Sequence, residues 1–152
     1  MFKKILVAMD GSELSKKALD SALDIAERFS AQVVILSVVE HSALQMTGFP
    51  ALIPTTAYTT AMSDFSKEYI EHHRNLLSKA LKHAKDSKPN LKISTKLMEG
   101  RPTNTIVKEA KDNNFDLIVM GSRGLSGITR FFLGSVSDGV VNEAECPILI
   151  VK

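Results

Sequence analysis

The chain has 152 residues, of which 44% are hydrophobic and 24% charged, a balance typical of one globular domain, and we expect a single domain over residues 1–152. A formal net charge of +2 is too small to favour nucleic acid or a membrane surface as a partner. No apolar run approaches the ~18 residues of a membrane span. The one cysteine, Cys146, excludes a disulfide within the chain, so we expect a cytoplasmic protein.

Strand and helix signals alternate through the first half of the chain. A short apolar run at residues 5–8 is followed by helical spacing over residues 13–30, with Ser12 as a candidate N-cap. Residues 32–39, QVVILSVV, are apolar and largely β-branched, which is typical of a buried strand. The next helical pattern covers residues 64–86.

Residues 41–63 break this pattern. They mix Thr, Ser, Pro and isolated apolar residues with no clean period. Such a length is unusual for a connection in a compact domain, so we predict an irregular segment that is mobile or serves as a lid.

The second half of the chain continues the alternation. Strand patterns at residues 92–98 and 115–120 flank a short helix at 103–113, and a helix at 135–145 precedes a last strand at 147–151. This order predicts an α/β fold with an open, five-stranded, mainly parallel sheet and helices on both faces.

The long loop after the fourth strand, Gly121–Gly134, is the strongest candidate for a ligand site. In open α/β sheets, ligands bind beyond the carboxyl ends of the strands where the strand order reverses. Asp10 follows the first predicted strand, and Val38 lies near the end of the second. The helix that starts at Ser135 would present unpaired N–H groups to an anion.

Glycines in this loop would bring the main chain close to such a ligand. Gly134 would admit a phosphate, and Gly121 and Gly124 would admit a sugar or diphosphate. The hydroxyls of Ser135 and Ser137 would add donors.

Simpler interpretations of the loop stay open. It could be a loose surface connection or a spacer, and Ser135 could act only as a helix cap with Asp138 three residues later. Arg123 and Arg130 could hold phosphate or be solvated charges. Residues 131–133 would anchor the loop in the core.

Familiar phosphate and nucleophile motifs are absent. The loop lacks the Lys-Ser/Thr pair of the Walker pattern, and neither GxGxxG nor GxSxG occurs in the chain. The four histidines lack metal-ligand spacing, and we predict that they lie at the surface or on helix faces.

The spacing Gly121-x2-Gly124-x9-Gly134-Ser135 resembles the nucleotide-binding signature G-x2-G-x9-G-S/T of the universal stress protein family, in its ATP-binding type. The segments KKILVAMDGSELSKKAL, EGRPTNTIVKEAKDNNFDLIVMGSRG and CPILIVK are also similar to that family's opening, middle and closing regions. The resemblance covers the whole chain and implies a Rossmann-like fold of the adenine nucleotide α-hydrolase type.

The resemblance also implies a ligand, ATP or a related nucleotide such as ADP or AMP, with Mg²⁺ or Mn²⁺ held mainly by the phosphates and by no metal site of the protein. It places Asp10 and the main chain of Ala8 and Met9 beside the nucleoside, and the main chain of Val38 against adenine. It assigns the ribose to Met120 and Gly121, and the phosphates to Gly124, Gly134, Ser135, Val136 and Ser137.

Three functions remain open at this point. The protein could be a nucleotide-dependent regulator read by an unknown downstream partner, a slow ATPase or phosphotransferase, or a dimeric interaction module indifferent to nucleotide. An enzyme would need a general base beside the γ-phosphate and a carboxylate for the metal, and the loop offers no acid. The apolar strand at residues 147–151 predicts a homodimer, because an exposed edge strand tends to pair.

Overall fold

A computed structural model describes residues 1–40, 55–125 and 133–152, which alternate strictly between strand and helix. The elements are β1 (Lys4–Ala8), α1 (Glu13–Phe29), β2 (Gln32–Val39), α2 (Thr55–Ser87), β3 (Ile93–Glu99), α3 (Pro102–Asp112), β4 (Leu117–Gly121), α4 (Ser135–Glu143) and β5 (Ile148–Val151). The described strands form one sheet in the order β3-β2-β1-β4-β5, and every neighbouring pair is parallel. The predicted open parallel α/β sheet is confirmed.

Helices cover both faces of the sheet, and the central strands are therefore apolar on both sides. Ile5 and Val7 of β1 pack in the core beneath α1 and α2, whereas Leu6 packs in the opposite core beneath α3 and α4. Each of these three side chains is fully buried. Because β1 is buried on both faces of the sheet, its apolar residues are consecutive rather than alternating with polar ones.

The strand order reverses at β1. The chain passes from β1 to β2 on one side and later returns across β1 to β4 on the other side. Such a reversal opens a crevice between the carboxyl ends of two adjacent strands, here β1 and β4. Helix α1 starts close to this crevice, and its predicted N-cap is confirmed, because the Ser12 hydroxyl accepts a hydrogen bond from the Ser15 amide at 3.1 Å.

One predicted boundary is wrong. Helix α2 begins at Thr55 rather than at residue 64, so the last nine residues of the segment predicted to be irregular are helical. Thr and Ser are only modestly poorer helix formers than Leu or Lys, and neither Pro nor Gly interrupts residues 55–63. The first part of that predicted segment, residues 41–54, lies outside the described residues. The other element boundaries agree with the prediction to within two residues.

Within the described ranges, none of the helices combines the length and the apolarity that crossing a membrane requires.

Candidate functional site

A cavity of about 280 Å³ lies at the carboxyl ends of β1, β2 and β4 and against the start of α4. Every residue predicted for the site lines it: Ala8, Met9, Asp10, Val38, Met120, Gly121, Arg123, Gly124, Gly134, Ser135, Val136 and Ser137. The fold therefore gathers residues from four separate parts of the sequence around one crevice. Arg130, a second candidate for phosphate, and Phe131 and Phe132, predicted to anchor the loop, lie outside the described residues.

One wall of the cavity is an apolar slot. Ala8, Leu36, Val38 and Met120 come from three neighbouring strands, and Ile106 of α3 lies among the same lining residues. These residues belong to the core beneath α3 and α4, so the slot is an opening into that core. Apolar walls with a few polar groups at one end are typical of small-molecule sites.

The main chain of Val38 faces the end of this slot. Successive residues of a strand direct their N–H and C=O groups to opposite sides within the sheet. The carbonyl of Leu36 accepts from the Met9 amide on the β1 side at 2.8 Å, and the carbonyl of Val39 accepts from Gly100 on the β3 side at 3.0 Å. Val38 therefore points its polar groups toward β1, which has already ended at Ala8.

The Asp10 carboxylate is hydrogen bonded to two separate segments at the cavity. One oxygen accepts a hydrogen bond from the Ser12 amide at 2.9 Å, and the other accepts from the Leu125 amide at 3.2 Å. Asp10 thus fixes both the start of α1 and the first part of the loop Gly121–Gly134, which we call the glycine loop. A Cβ at Gly124 would lie 2.5 Å from the second oxygen, so this link requires a glycine there.

Gly121 has a similar internal role. A Cβ at this position would lie 2.9 Å from the Cβ of Leu14, so its absence allows the first turn of α1 to pack against β4. The sequence prediction gave Gly121 and Gly124 the task of admitting a ligand. Both glycines line the cavity, but the protein's own packing already accounts for each of them.

Gly134 differs from those two glycines. Its φ of −68° is open to any residue, and the nearest atom to an added Cβ, the Arg123 Cα, would be at 3.4 Å, an ordinary contact. Gly134 is the N-cap of α4 and makes no side-chain cap, so the first N–H groups of the helix have no such partner. The alternative in which Ser135 caps the helix is wrong, because Ser135 is already the first helical residue.

The two serines of the first turn have different surroundings. Ser137 is buried, and the one proton of its hydroxyl is shared between the carbonyls of Ser122 at 2.7 Å and Gly134 at 2.9 Å. In this structure its proton holds α4 against the end of β4, so donation to a ligand would require these contacts to break. Ser135 is exposed at the mouth of the cavity.

Sequence reasoning missed part of the lining, which also includes Ser15, Leu36, Pro102, Ile106 and Leu125. Leu36 could have been found, because strand alternation places it on the same face as Val38. Ile106 was predicted to face inward, but only as a core residue. Pro102 is part of the lining because α3 begins at the edge of the crevice. Local sequence patterns do not indicate this position.

The described histidines divide between surface and interior. His72 and His83 are exposed, and the Nε2 of His83 lies 2.7 Å from an oxygen of Asp20. His73 is only 8% exposed and lies on the face of α2 that packs against the sheet, so it takes the helix-face location of the two that were predicted. Nowhere in the described part of the chain do three or more His, Cys, Asp or Glu residues converge as metal ligands would.

Comparisons of the sequence and of the structure with known proteins lead to the same family. The model of the universal stress protein family matches residues 1–152. The universal stress protein MJ0531 of Methanocaldococcus jannaschii is 38% identical over 152 residues, which cover 100% of this chain and 83% of that protein. The solved structure of the hypothetical protein MJ0577 superposes with a TM-score of 0.82 at 26% identity, over 100% of this chain and 96% of the other. A universal stress protein crystallised in complex with cAMP superposes with a TM-score of 0.66 at 26% identity, over 99% of this chain and 96% of the other.

Proposed function

Because the chain belongs to the universal stress protein family, we propose that it is a regulatory protein that binds ATP in the cavity between β1 and β4. The structurally similar family member in complex with cAMP supports an adenine nucleotide as the ligand class. We further propose that the protein acts as a homodimer in the cytoplasm and that a downstream protein reads its nucleotide state.

The main support for a phosphate at this site is Gly134. Neither its backbone conformation nor the space around it requires a glycine, in contrast to Gly121 and Gly124. A missing side chain at the N-cap of a helix leaves the N–H groups of the first turn open to a ligand that approaches closely. An anion is the ligand that such a helix start favours.

The rest of the cavity fits the other parts of ATP. We place adenine in the apolar slot, with the outward main-chain groups of Val38 at its edge, and the ribose near Met120 and Asp10. The triphosphate would then run toward Ser135 and Arg123 at the start of α4. A divalent cation, Mg²⁺ or Mn²⁺, would be held mainly by the phosphate oxygens.

The described lining favours binding over catalysis. Asp10 is the one carboxylate among the described lining residues, and each of its oxygens accepts a main-chain N–H. A carboxylate engaged in this way is a poor general base, and by our placement it lies at the nucleoside end rather than beside the γ-phosphate. Any hydrolysis of bound ATP is therefore expected to be slow.

A dimer would form through β5, which is an edge strand in the described sheet. Pairing with a second copy would cover the outer main-chain groups of Ile148 and Ile150.

The test is the identity of the nucleotide that copurifies with the protein. The protein is denatured, and the supernatant is separated by ion-exchange chromatography. ATP in the supernatant supports the proposal, and ADP accompanied by measurable phosphate release supports a slow ATPase instead. Protein that carries no nucleotide and has no affinity for added Mg-ATP would contradict the proposal.

A further inference from the structure

A buried histidine lies close to the site without lining it. His73 is on the face of α2 that packs against the sheet, in line with Leu77, Ala80 and Ala84. A buried imidazole is unfavourable unless it is hydrogen bonded. The Nδ1 of His73 lies 2.8 Å from the hydroxyl of Ser37, a β2 residue that is 1% exposed.

The Ser37 hydroxyl determines which ring nitrogen carries the proton. It lies 2.9 Å from the carbonyl oxygen of Met9, which can only accept a hydrogen bond. A hydroxyl has one proton, so this proton points to Met9 and the oxygen accepts from His73. The network therefore assigns the proton to Nδ1, and the three groups form a relay from α2 through β2 to the end of β1.

The relay ends at the wall of the cavity. The Met9 amide donates to the Leu36 carbonyl at 2.8 Å, so Ser37 and Leu36 together hold both polar groups of the Met9 main chain. The next residue is Asp10, whose carboxylate holds the amides of Ser12 and Leu125. A shift of the Met9 carbonyl would therefore move the carboxylate that fixes the glycine loop.

The surroundings of His73 favour the neutral form of its ring. Its ring packs edge-on against those of Tyr69 and His72, with centroids 4.8 and 5.9 Å away. Burial, together with the nearby His72, lowers the pKa of His73 below its usual value, and the Asp10 carboxylate opposes this shift only in part. The neutral ring with Nδ1–H is the form that the relay needs.

We propose that His73 is a positioning residue for the nucleotide site, which acts through the Ser37 hydroxyl on the Met9 carbonyl and so sets the place of Asp10. This inference rests on the proposed function, because it assumes that the nucleoside binds beside Met9 and Asp10. His73 does not itself contact the ligand.

Two matched pairs of variants test the proposal. His73→Leu removes the N–H donor, whereas His73→Asn keeps an N–H donor on the atom that corresponds to Nδ1. Ser37→Ala removes the relay hydroxyl and Ser37→Thr keeps it. The affinities for ATP and AMP are measured by calorimetry, and the amide shifts of Ser12 and Leu125 are measured by NMR in nucleotide-free protein.

We expect His73→Leu and Ser37→Ala to weaken both ATP and AMP about three- to tenfold, the effect of one neutral hydrogen bond. The loss should be equal for the two nucleotides because it arises at the nucleoside end. His73→Asn and Ser37→Thr should stay within about twofold of wild type. If His73→Leu does not fold, Ser37→Ala gives the same comparison.

The NMR measurement separates this proposal from the proposed function. If the wild-type protein binds neither nucleotide, the proposed function fails. The chemical shift of the Leu125 amide in the nucleotide-free variants still tests whether His73 acts on Asp10. A shift of that amide in His73→Leu and its return in His73→Asn support the relay. An unchanged Leu125 amide in both His73→Leu and Ser37→Ala, or a failure of His73→Asn to restore affinity, would overturn it.

Discussion

The carboxylate of Asp10 accepts a hydrogen bond from the amide of Leu125 at 3.2 Å, which joins the end of the first strand to the glycine loop 115 residues later. The same carboxylate holds the Ser12 amide at the start of α1. One side chain thus connects the three segments that meet at the reversal of strand order. The shape of the cavity depends on this connection before any ligand is bound.

The effects of substitutions at Gly124 and Asp10 on the free energy of unfolding should be coupled. Gly124→Ala places a Cβ 2.5 Å from the Asp10 oxygen, so we expect a loss of about 1–3 kcal/mol in the free energy of unfolding. In an Asp10→Ala background the obstacle is gone, and the same substitution should cost less than about 0.5 kcal/mol. Urea unfolding of the four proteins measures the coupling, and additive effects would contradict the link.

Gly134→Leu should abolish ATP binding while the fold survives. The backbone at this position accepts any residue, so the free energy of unfolding should change by no more than about 1 kcal/mol. Calorimetry should find no measurable affinity, because the side chain occupies the approach to the helix start. Asn142→Ala, an exposed change on the same helix outside the cavity lining, is the control. Retained affinity in Gly134→Leu would rule out the phosphate site.

We expect Ser135 to contribute mainly to ATP affinity and Ser137 mainly to the stability of the fold. Ser137→Ala removes the donor to two carbonyls, and we expect a loss of about 1–2 kcal/mol in the free energy of unfolding. Ser135→Ala should leave stability within about 0.5 kcal/mol and weaken ATP about three- to tenfold, with a smaller effect on AMP. Parallel denaturation and calorimetry measure both properties. A loss of stability in Ser135→Ala, together with a loss of ATP affinity alone in Ser137→Ala, would contradict the roles given to these two serines.

Stability should depend on pH through His73. Its folded-state pKa is lowered, mainly by burial and then by His72, while Asp10 opposes the shift, so the unfolded chain binds the proton more readily. The free energy of unfolding should therefore be fully present above about pH 6.5 and should fall as the pH drops below that value through the folded-state pKa. Urea unfolding at several pH values should give a steeper decline for wild type than for His73→Asn. Equal slopes would show that His73 does not titrate in this window.

The edge of β5 should carry the dimer contact. The carbonyl of Pro147 accepts from Ile118 of β4, and that of Val151 accepts from Ser122, the residue after β4. The main-chain groups of Ile148 and Ile150 therefore point away from β4. Ile150→Pro removes one outward N–H and should convert a dimer to a monomer in light scattering. Ile150→Ala also loses side-chain packing but keeps the N–H, and should remain dimeric. A monomeric wild-type protein at micromolar concentration would contradict the dimer.

Most of the fold could be predicted from the sequence because the signals are local. The strands at the centre of the sheet are buried on both faces, which gives the continuous apolar runs of β1, β2 and β4. The start of α2 could not be predicted in this way, since Thr- and Ser-rich residues 55–63 carry no clear helical period.

The residues predicted for the site line one cavity, but the packing roles of two of its glycines could not be read from the sequence. A glycine in a sequence does not reveal whether a ligand or a neighbouring side chain needs the space. The contacts of Gly121 with Leu14 and of Gly124 with Asp10 are long-range and appear only in the folded chain. The same holds for His73, whose hydrogen-bond partner Ser37 lies on β2, 36 residues away in the sequence.

The most direct test of the account is an NMR titration of nucleotide-free protein with Mg-ATP. We predict saturable shifts of the amides of Val38, Leu125, Val136 and Ser137, which come from three separate elements around one cavity. The same titration of Gly134→Leu should leave these amides unchanged. The absence of saturable shifts in wild type would contradict ATP binding at this site, as would shifts confined to a second, separate cavity near Ser30 and Lys92.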